Sequence, residues 1–544
     1  MHNIVKKVNN FKLLIKDILV VSKSTKTSKK KRRIIFSVLL SNLIVFFDIL
    51  IILTFTNIFT SSISTQNIIA KFVMDKLWLF PIIILLRFLA IYVEKMNVLS
   101  LKLKIEENLR TYLIKEIFDK GNYSISDAYY FINTISMQVA SFYGTLTVFL
   151  SSLLQIFAYA AYLIYTDFNT VIVFFGGLLI LAYPTFLLTK TGRKYAHLTY
   201  QYGQKISEDT EKILDNLFLI KIVNRVDKEI KSFRASLNSY YSSSYNNLRY
   251  GTLNAILPNF STMILLSVLL VFFNFAKVLT LDFIAIMLRL FQTLGIFNDN
   301  LHLITAYHVY LENLHFMEVN KSLSYSENFQ ANSIKDSENA VVIKNVNFKY
   351  FNSEDYIFKN LNLTIPKGKH TVITGPNGSG KSTLLGLVSG VFYPEKGSVK
   401  TYSTKLGYIG ASPMIINSTL RDNLTYSTDE EIKDSEIHRM IKLFNVFNDE
   451  EVSLDKKISN KSLSMGQMQK IAFIRALISG VRILILDEST SNLDKYSKQV
   501  IFKVLGDLNI TIVNSTHNKE DFVNPDMHIE LTISKNGNRE ILLS

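Results

Sequence analysis

The chain has 544 residues, no cysteine, a formal net charge of +15 and 48% hydrophobic residues. This length exceeds that of a single domain, and the hydrophobic content requires a search for membrane-spanning segments before any other interpretation. The lack of thiols excludes disulfides, cysteine nucleophiles and cysteine-based metal sites.

The N-terminal segment, residues 1–33, is basic and amphipathic. It contains eleven Lys/Arg residues, and its apolar residues recur at helical spacing. This pattern predicts an amphipathic helix that lies on the membrane surface. The apolar residues of its predicted face are Phe11, Leu14, Ile15, Ile18 and Leu19. The apolar stretch that follows is long and has no small-residue cleavage site, so a signal peptide is not predicted.

Six apolar segments follow and predict an all-α transmembrane domain over residues 34–317. The third, fourth and fifth have uncharged cores of about 20 residues, enough to cross a bilayer. The second and sixth each contain one arginine, Arg87 and Arg289. The six segments are 34–58, 77–97, 144–165, 170–188, 252–276 and 281–304.

The distribution of positive charge predicts the topology. With a cytoplasmic N-terminus, residues 1–33, 94–141 and 189–251 lie inside and hold 11, 6 and 11 Lys/Arg residues, against three in the outside loops. This bias predicts a multi-pass protein of the inner (cytoplasmic) membrane. It also accounts for much of the basic charge, so no nucleic-acid partner is expected. The inside connections are long and helical in pattern, and the polar turn 215–224 predicts a place where a helix pair meets another domain.

After a polar linker, residues 318–339, the segment 340–544 alternates β-rich and helical stretches, which predicts a cytosolic α/β domain. Residues 371–383 read TVITGPNGSGKST, a β-branched run followed by G-x-x-x-x-G-K-S. Such a loop cradles phosphates with converging backbone N–H groups, a lysine and a helix N-terminus, which predicts bound ATP. The loop residues expected to bind nucleotide are Gly375, Asn377, Gly378, Ser379, Gly380, Lys381, Ser382 and Thr383.

Two adjacent carboxylates end a second apolar run, residues 483–486. Asp487 is suited to hold the shell of a Mg²⁺ ion together with the hydroxyl of Ser382, and Glu488 to orient and deprotonate the attacking water. His517 follows the next predicted strand and could donate to the γ-phosphate. Lys381, Glu488 and His517 are therefore the predicted catalytic residues.

These pieces, with Leu-Ser-Met-Gly-Gln at 463–467, together resemble the ABC-type ATPase domain over about residues 342–535. The resemblance implies that the chain is an exporter-type half-transporter, in which a six-helix membrane domain precedes the P-loop ATPase domain. It also implies a homodimer that sandwiches two ATP molecules. By the same resemblance, the remaining nucleotide-binding residues are Tyr350, which stacks on adenine, Ser464, Gly466 and Gln467, which face the opposite subunit's ATP, and Asp494, in the loop joining the two sites.

Two positions depart from the family pattern. Ala411 occupies the place of a glutamine that ordinarily touches Mg²⁺ and the membrane domain, and Met465 replaces the first glycine of the signature. Since Lys381, Asp487 and Glu488 remain, hydrolysis is still predicted, and a slowed or regulatory ATP site is the alternative.

The membrane half resembles exporters, and the stretches 218–224 and 288–310 are similar to bacterial flippases of lipid-linked oligosaccharides, whose outside loop also carries a short helix near the place of residues 64–74. This resemblance implies a polyprenyl-pyrophosphate glycan or related glycolipid as substrate, moved to the outer leaflet. Arg87 and Arg289 could meet its pyrophosphate. The alternative is that they pair with acids such as Asp48 or Asp299 inside the bundle.

Two other functions stay open. One is a general exporter of drugs, lipids or peptides, and the other is an ATP-gated channel with weak hydrolysis. A non-transporting ABC protein that acts on nucleic acid or ribosomes is disfavoured because such proteins lack spans.

Overall fold

The computed structural model contains two compact units, one of residues 1–118 and 123–322, the other of residues 119–122 and 323–544. The boundary at 322/323 falls within the predicted linker. The structure describes residues 17–18, 21, 27–60, 76, 78–120, 125–166, 168–272, 280–319, 326–334, 338–350, 355–447, 452–490, 493–516, 525–533 and 539–543.

The elements of the first unit are all helices in the part of the chain that the structure describes. Its helices are α1 (Lys30–Thr60), α2 (Leu79–Lys120), α3 (Ile125–Tyr130), a π-helix (Phe131–Ile135), α4 (Ser136–Thr166), α5 (Phe168–Asp215), α6 (Leu217–Ile222), α7 (Val226–Phe272) and α8 (Leu281–Val319). Among the described residues, three stretches are long and apolar enough to cross a membrane: Lys30–Thr56, Asp127–Thr166 and Leu281–His315. The other three predicted spans overlap α2, α5 and α7 over their described residues but are not among these stretches, so six spans remain a prediction. The predicted outside helix at residues 64–74 lies outside the described residues.

The longest helices extend well beyond the thickness of a bilayer. Helices α5 and α7 have 48 and 47 residues. At about 1.5 Å per residue, each is about 70 Å long, more than twice the thickness of a hydrocarbon core of about 30 Å. The helices that contain the fourth and fifth predicted spans therefore continue well beyond those segments. Between them, the short helix α6 falls within the predicted turn 215–224, and its Phe218 and Ile222 side chains are exposed.

Close packing of three helices is visible at His302 of α8, which is buried. A Cβ atom built on Gly192 of α5 or Gly251 of α7 would come within 2.2 or 2.5 Å of the imidazole ring. The two glycines therefore make the space that the histidine fills, because no side chain fits between the helix backbones and the ring.

The N-terminal segment differs from its prediction where the structure describes it. Val21 is fully buried in the core of the first unit, and Ile18 packs against the same core. The buried carboxylate of Asp17 bonds to His308 Nε2 at 2.9 Å and also contacts His315 Nδ1. This part of the segment packs on the helices, so its prediction as a helix on the membrane surface is wrong. Phe11, Leu14, Ile15 and Leu19 lie outside the described residues.

The second unit is α/β, as predicted. Its strands are β1 (Phe329–Gln330), β2 (Asn339–Phe348), β3 (Phe358–Pro366), β4 (His370–Thr374), β5 (Lys396–Thr401), β6 (Leu406–Gly410), β7 (Ser418–Thr419), β8 (Lys457–Ile458), β9 (Ile483–Asp487), β10 (Thr511–Ser515), β11 (Met527–Ile533) and β12 (Arg539–Leu543). Its helices are α9 (Lys381–Ser389), α10 (Leu420–Thr425), α11 (Asp434–Leu443), α12 (Met465–Ile478) and α13 (Lys495–Asp507). The predicted linker 318–339 is partly structured, because β1 pairs with β5.

The main sheet has the order β12-β11-β4-β10-β9-β6, and only the β11–β12 pair is antiparallel. A second sheet has the order β1-β5-β2-β3. The β9 side chains from Ile483 to Leu486 are fully buried, as expected of a parallel strand covered on both faces. The carboxyl ends of β4, β10, β9 and β6 therefore share one edge, where open α/β sheets bind ligands.

Candidate functional site

The shared edge brings the phosphate loop and the two carboxylates together. Strand β4 leads into the loop and α9, and β9 ends at Asp487. Strand β10 lies between them, with Ser515 opposite both Ile373 of β4 and Asp487 of β9. Residues more than a hundred positions apart in sequence thus meet at one edge.

The loop needs glycine at particular positions. Gly375 and Gly380 have φ values of 150° and 98°, in the region that favours glycine. A Cβ on Gly375 would also lie 2.4 Å from the carbonyl oxygen of Leu531. Gly380 is the N-cap of α9, so the first N–H groups of this helix point into the loop and form an anion site. Between the glycines, Asn377 and Gly378 are exposed, whereas Ser379 is buried and its Oγ has no hydrogen-bond partner among the residues that the structure describes.

The ammonium group of Lys381 lies inside the loop. It donates to the carbonyl oxygens of Gly375 at 2.9 Å and Pro376 at 3.1 Å, and the residue is 7% exposed. The loop therefore fixes a positive charge beside the helix N-terminus, as binding of a β/γ-phosphate requires.

Tyr350 lies beside the loop. Its hydroxyl is 2.8 Å from Thr383 Oγ1 in the first turn of α9. Its ring packs edge-on against Phe348 and Phe392, with centroid distances of 5.3 and 5.5 Å. Because 39% of the residue remains exposed, the ring could stack on a base.

Glu488 follows Asp487 in a strained conformation. Its φ is 52°, and its backbone N–H donates to the carbonyl oxygen of Ser515 at 3.0 Å. A non-glycine residue in this region costs about 1–3 kcal/mol, and such strain is concentrated at functional sites. The strand pairing thus fixes the backbone of the residue whose carboxylate is predicted to activate water.

Asp487 has a partner that the sequence did not indicate. The hydroxyl of Tyr408 on β6 donates to Asp487 Oδ2 at 3.3 Å. Burial raises the pKa of Tyr408 to about 12, with a smaller contribution from the Asp487 charge, so the hydroxyl keeps its proton.

The donor set suits a magnesium nucleotide. Ser382 is exposed at the first turn of α9, and Asp487 is half-buried at the end of β9, so both offer oxygen atoms. Mg²⁺ prefers oxygen ligands and is usually bound by one or two protein groups together with substrate phosphates. Ser382 and Asp487 are therefore the residues that would hold the ion, which would neutralise phosphate charge when bound.

The signature residues form a helix cap. The Oγ of Ser464, the N-cap of α12, accepts from the Gln467 N–H at 3.2 Å, and Gln467 Oε1 accepts from the Ser464 N–H at 2.9 Å. This is a capping box, which the S-x-x-Q spacing signals in the sequence. Ser464 is exposed and Gly466 lies in the first turn, so this end of α12 faces outward from the unit.

Asp494 is the N-cap of α13. Its Oδ1 accepts from the Ser497 N–H at 2.8 Å, and its Oδ2 from the Ser497 hydroxyl at 2.6 Å. Both hydrogen bonds lower the pKa of Asp494, and the one from the hydroxyl has the larger effect. The Lys470 ammonium of α12 lies 3.7 Å from the same carboxylate. His517, predicted to contact the γ-phosphate, lies outside the described residues.

Arg475 is a further residue that sequence reasoning missed. Its guanidinium group donates to the carbonyl oxygens of Asn423 at 2.6 Å and Met414 at 2.8 Å. It thereby ties the signature helix α12 to the segment that follows Ala411. A lone arginine in a helix gives no sequence signal for such a bond.

The two arginines predicted to meet substrate lie in the first unit, in different surroundings. Arg87 forms an ion pair with Asp48, whose other oxygen accepts from the Tyr159 hydroxyl at 3.0 Å. Arg87 is therefore paired with Asp48, as the alternative interpretation of the sequence predicts. Arg289 is exposed, and its Nη1 lies 3.5 Å from Gln292 Oε1.

Residues 358–491 match the family described as ABC transporter. The chain is 33% identical over 209 residues to the ATP-dependent permease MDL1 of Candida albicans, a match that covers 34% of this chain and 30% of that protein. It is 31% identical over 215 residues to the energy-coupling factor transporter ATP-binding protein EcfA1 of Mycoplasmopsis pulmonis, covering 36% of this chain and 80% of that protein. The chain thus spans less than a third of the length of the permease.

The whole fold is similar to a solved bacterial Atm1-family ABC exporter with ATP bound. The TM-score is 0.70 with 15% sequence identity, over 92% of this chain and 93% of that one. The architecture is therefore that exporter fold, with an N-terminal helical domain and a C-terminal ATPase domain, in a multi-pass membrane protein.

Proposed function

The chain belongs to the ABC transporter family, in which an ATPase domain powers transport, and on that premise we propose that it is an ATP-driven exporter that works as a homodimer. The observation that carries the proposal is that one sheet edge holds both the phosphate loop with Lys381 and the strained Glu488. A purely structural domain has no need for this arrangement. The same chain contains a membrane-embedded helical unit, whose conformation ATP hydrolysis can change.

Each residue at this edge of the main sheet has its own role in ATP hydrolysis. Lys381 and the N–H groups of α9 bind and orient the phosphates. Asp487 and Ser382 would hold Mg²⁺, which would neutralise phosphate charge, and Glu488 takes a proton from water positioned for in-line attack on the γ-phosphate. The backbone bond from Glu488 to β10 keeps that carboxylate aligned. We assign His517 to the same phosphate from its place after β10 in the sequence.

A second copy of the chain completes the proposed site. Ser464 and Gly466 lie at the outward-facing start of α12, where they can contact ATP held by a partner's phosphate loop. Asp494 caps the neighbouring helix and is linked to α12 through Lys470. Helix α6 leaves Phe218 and Ile222 exposed, an apolar surface of the kind that another protein surface covers. We place the ATPase domain in the cytoplasm and the helical domain in the inner membrane, with six spans.

The proposed substrate is a lipid-linked oligosaccharide or related glycolipid, moved from the cytoplasmic to the outer leaflet. The similarity of stretches 218–224 and 288–310 to glycolipid flippases supports this choice. Arg289 supports it as well, because an exposed guanidinium in an apolar helix can pair with a pyrophosphate. Arg87 is engaged by Asp48 and is the weaker candidate for substrate contact.

A general exporter of drugs, lipids or peptides is the second candidate. The permease MDL1 match favours it, since that name implies no glycolipid. An ATP-gated channel with weak hydrolysis is the candidate from a different class, suggested by Ala411 in place of the metal-binding glutamine.

Purified protein in liposomes tests these functions. We expect ATP-dependent exposure of a labelled lipid-linked sugar to an outside reagent, and expect Lys381→Ala to abolish it while leaving membrane insertion intact. Undiminished transport by this variant would refute the role of the loop. ATP-dependent movement of other amphiphiles without the glycolipid would favour the general exporter. Passive ion current that needs ATP binding but not Glu488 would favour the channel.

A further inference from the structure

Tyr408 lies on β6, next to β9, and its side chain reaches the carboxyl end of β9. Strand β6 runs parallel to β9, with Tyr408 opposite Ile485 and Gly410 opposite Asp487. The tyrosine starts two residues back from the edge, yet its hydroxyl lies 3.3 Å from Asp487 Oδ2. Its side chain therefore leans along the strand toward the carboxyl end, a direction open to strand residues.

Gly410 provides the space for this orientation. A Cβ atom built on Gly410 would come within 3.1 Å of both Cε1 and the hydroxyl oxygen of Tyr408. That distance is shorter than ordinary van der Waals contact, so a side chain at position 410 would push the ring away. The tyrosine can thus lie across the end of its own strand because residue 410 is glycine.

The next residue is Ala411, in the position where the family pattern has a glutamine that touches Mg²⁺. A methyl group supplies no oxygen to the metal and no hydrogen bond to its ligands. Groups that hydrogen-bond to metal ligands orient them, and their loss typically reduces metal affinity about 10- to 100-fold. A donor placed on Asp487 could therefore offset part of what the alanine removes.

We propose that Tyr408 is a positioning residue for Asp487 that takes over part of the role of the absent glutamine. Its hydroxyl donates a hydrogen bond to one oxygen of the Asp487 carboxylate. The carboxylate thereby keeps the orientation in which its other oxygen can coordinate Mg²⁺. This inference rests on the proposed ATPase function and explains how the site tolerates Ala411. It assigns no chemical step to the tyrosine.

The test is Tyr408→Phe, which removes the hydroxyl and keeps the ring. The measurement is the Mg²⁺ concentration that half-saturates tight binding of a fluorescent ATP analogue, in full-length protein carrying Glu488→Gln so that nothing is hydrolysed. We expect this concentration to rise about 10-fold, while binding of the analogue without Mg²⁺ stays unchanged. Gly410→Ala should raise it too, because the added methyl displaces the ring.

Rescue separates this role from a general loss of structure. Adding Ala411→Gln to Tyr408→Phe should return the Mg²⁺ requirement to near its original value, whereas Ala411→Gln alone should lower it, because Tyr408 offsets only part of the loss. The matched control is Tyr402→Phe, which removes a hydroxyl that donates to the Arg482 carbonyl at 3.0 Å in the same unit. It should leave the Mg²⁺ requirement unchanged.

An unaltered Mg²⁺ requirement in Tyr408→Phe, or no rescue by Ala411→Gln, would overturn the proposal. If protein with Glu488 intact binds the analogue but never hydrolyses ATP, the proposed function is refuted instead, since the binding measurement tests Tyr408 without needing hydrolysis.

Discussion

The ion pair between Asp48 of α1 and Arg87 of α2 allows a structural role for Arg87 to be separated from a role in substrate binding. The Asp48 side chain is 9% exposed and that of Arg87 is 27% exposed. Removing one partner of a fully buried pair costs about 3–5 kcal/mol. Since water reaches part of Arg87 and relieves its charge, we expect Asp48→Ala to cost about 2–3 kcal/mol.

The assay is thermal unfolding of the detergent-purified protein, compared across three variants. Asp48→Ala and Arg87→Ala should each lower the Tm by about 3–5 °C. The neutral double variant, Asp48→Asn with Arg87→Gln, removes both charges and keeps the shapes, so it should unfold near the wild-type temperature. A Tm unchanged in Asp48→Ala would refute the reasoning, because the pair would then contribute nothing to the fold.

Transport by the neutral double variant then decides what Arg87 does. If Arg87 serves only the ion pair, this variant should transport glycolipid at the wild-type rate. A stable double variant that cannot transport would show that the guanidinium also meets the substrate. Arg289→Gln provides the comparison, since this exposed arginine has no salt bridge among the described residues and should change transport without changing the Tm.

Three further predictions concern single positions. Glu488→Gln should abolish ATP hydrolysis while keeping ATP binding, and hydrolysis at the wild-type rate would show that another group activates the water. Ser464→Ala and Gln467→Ala should each destabilise the ATPase domain by about 1 kcal/mol in chemical denaturation, because each breaks the capping box. Ser464→Ala should in addition reduce hydrolysis far more than Gln467→Ala, and equal losses would indicate a purely structural role. Gly251→Ala should cost about 1–3 kcal/mol through overpacking against His302, and an unchanged Tm would contradict the tight fit.

How far the sequence predicts the site depends on how local the feature is. The phosphate loop is continuous in sequence, and its glycines, Lys381 and the following helix lie where the motif predicts. The contact between Tyr408 and Asp487 depends on the order of strands in the sheet and on the register of β6 against β9, neither of which the sequence reveals. Arg475 was missed for the same reason.

The membrane unit shows a similar limit. A long apolar segment predicts that a helix forms, and the described residues of all six predicted segments lie almost entirely in long helices. It does not predict where a helix packs against protein, because apolar faces suit lipid and core equally. The N-terminal segment illustrates this, since Ile18 and Val21 pack into the first unit and Asp17 bonds to His308.

Residues that the family resemblance assigns to nucleotide also hold helices in place. Ser464 and Asp494 both lie at helix N-caps, where their side-chain oxygens accept backbone N–H groups. The N-terminus of a helix attracts negative charge, so the same geometry that needs a cap also suits a phosphate. When a partner's ATP approaches Ser464, its γ-phosphate could share the donors that the serine hydroxyl now satisfies. Loss of hydrolysis on substitution there therefore demonstrates phosphate contact only when the loss exceeds that of Gln467→Ala, which breaks the same cap.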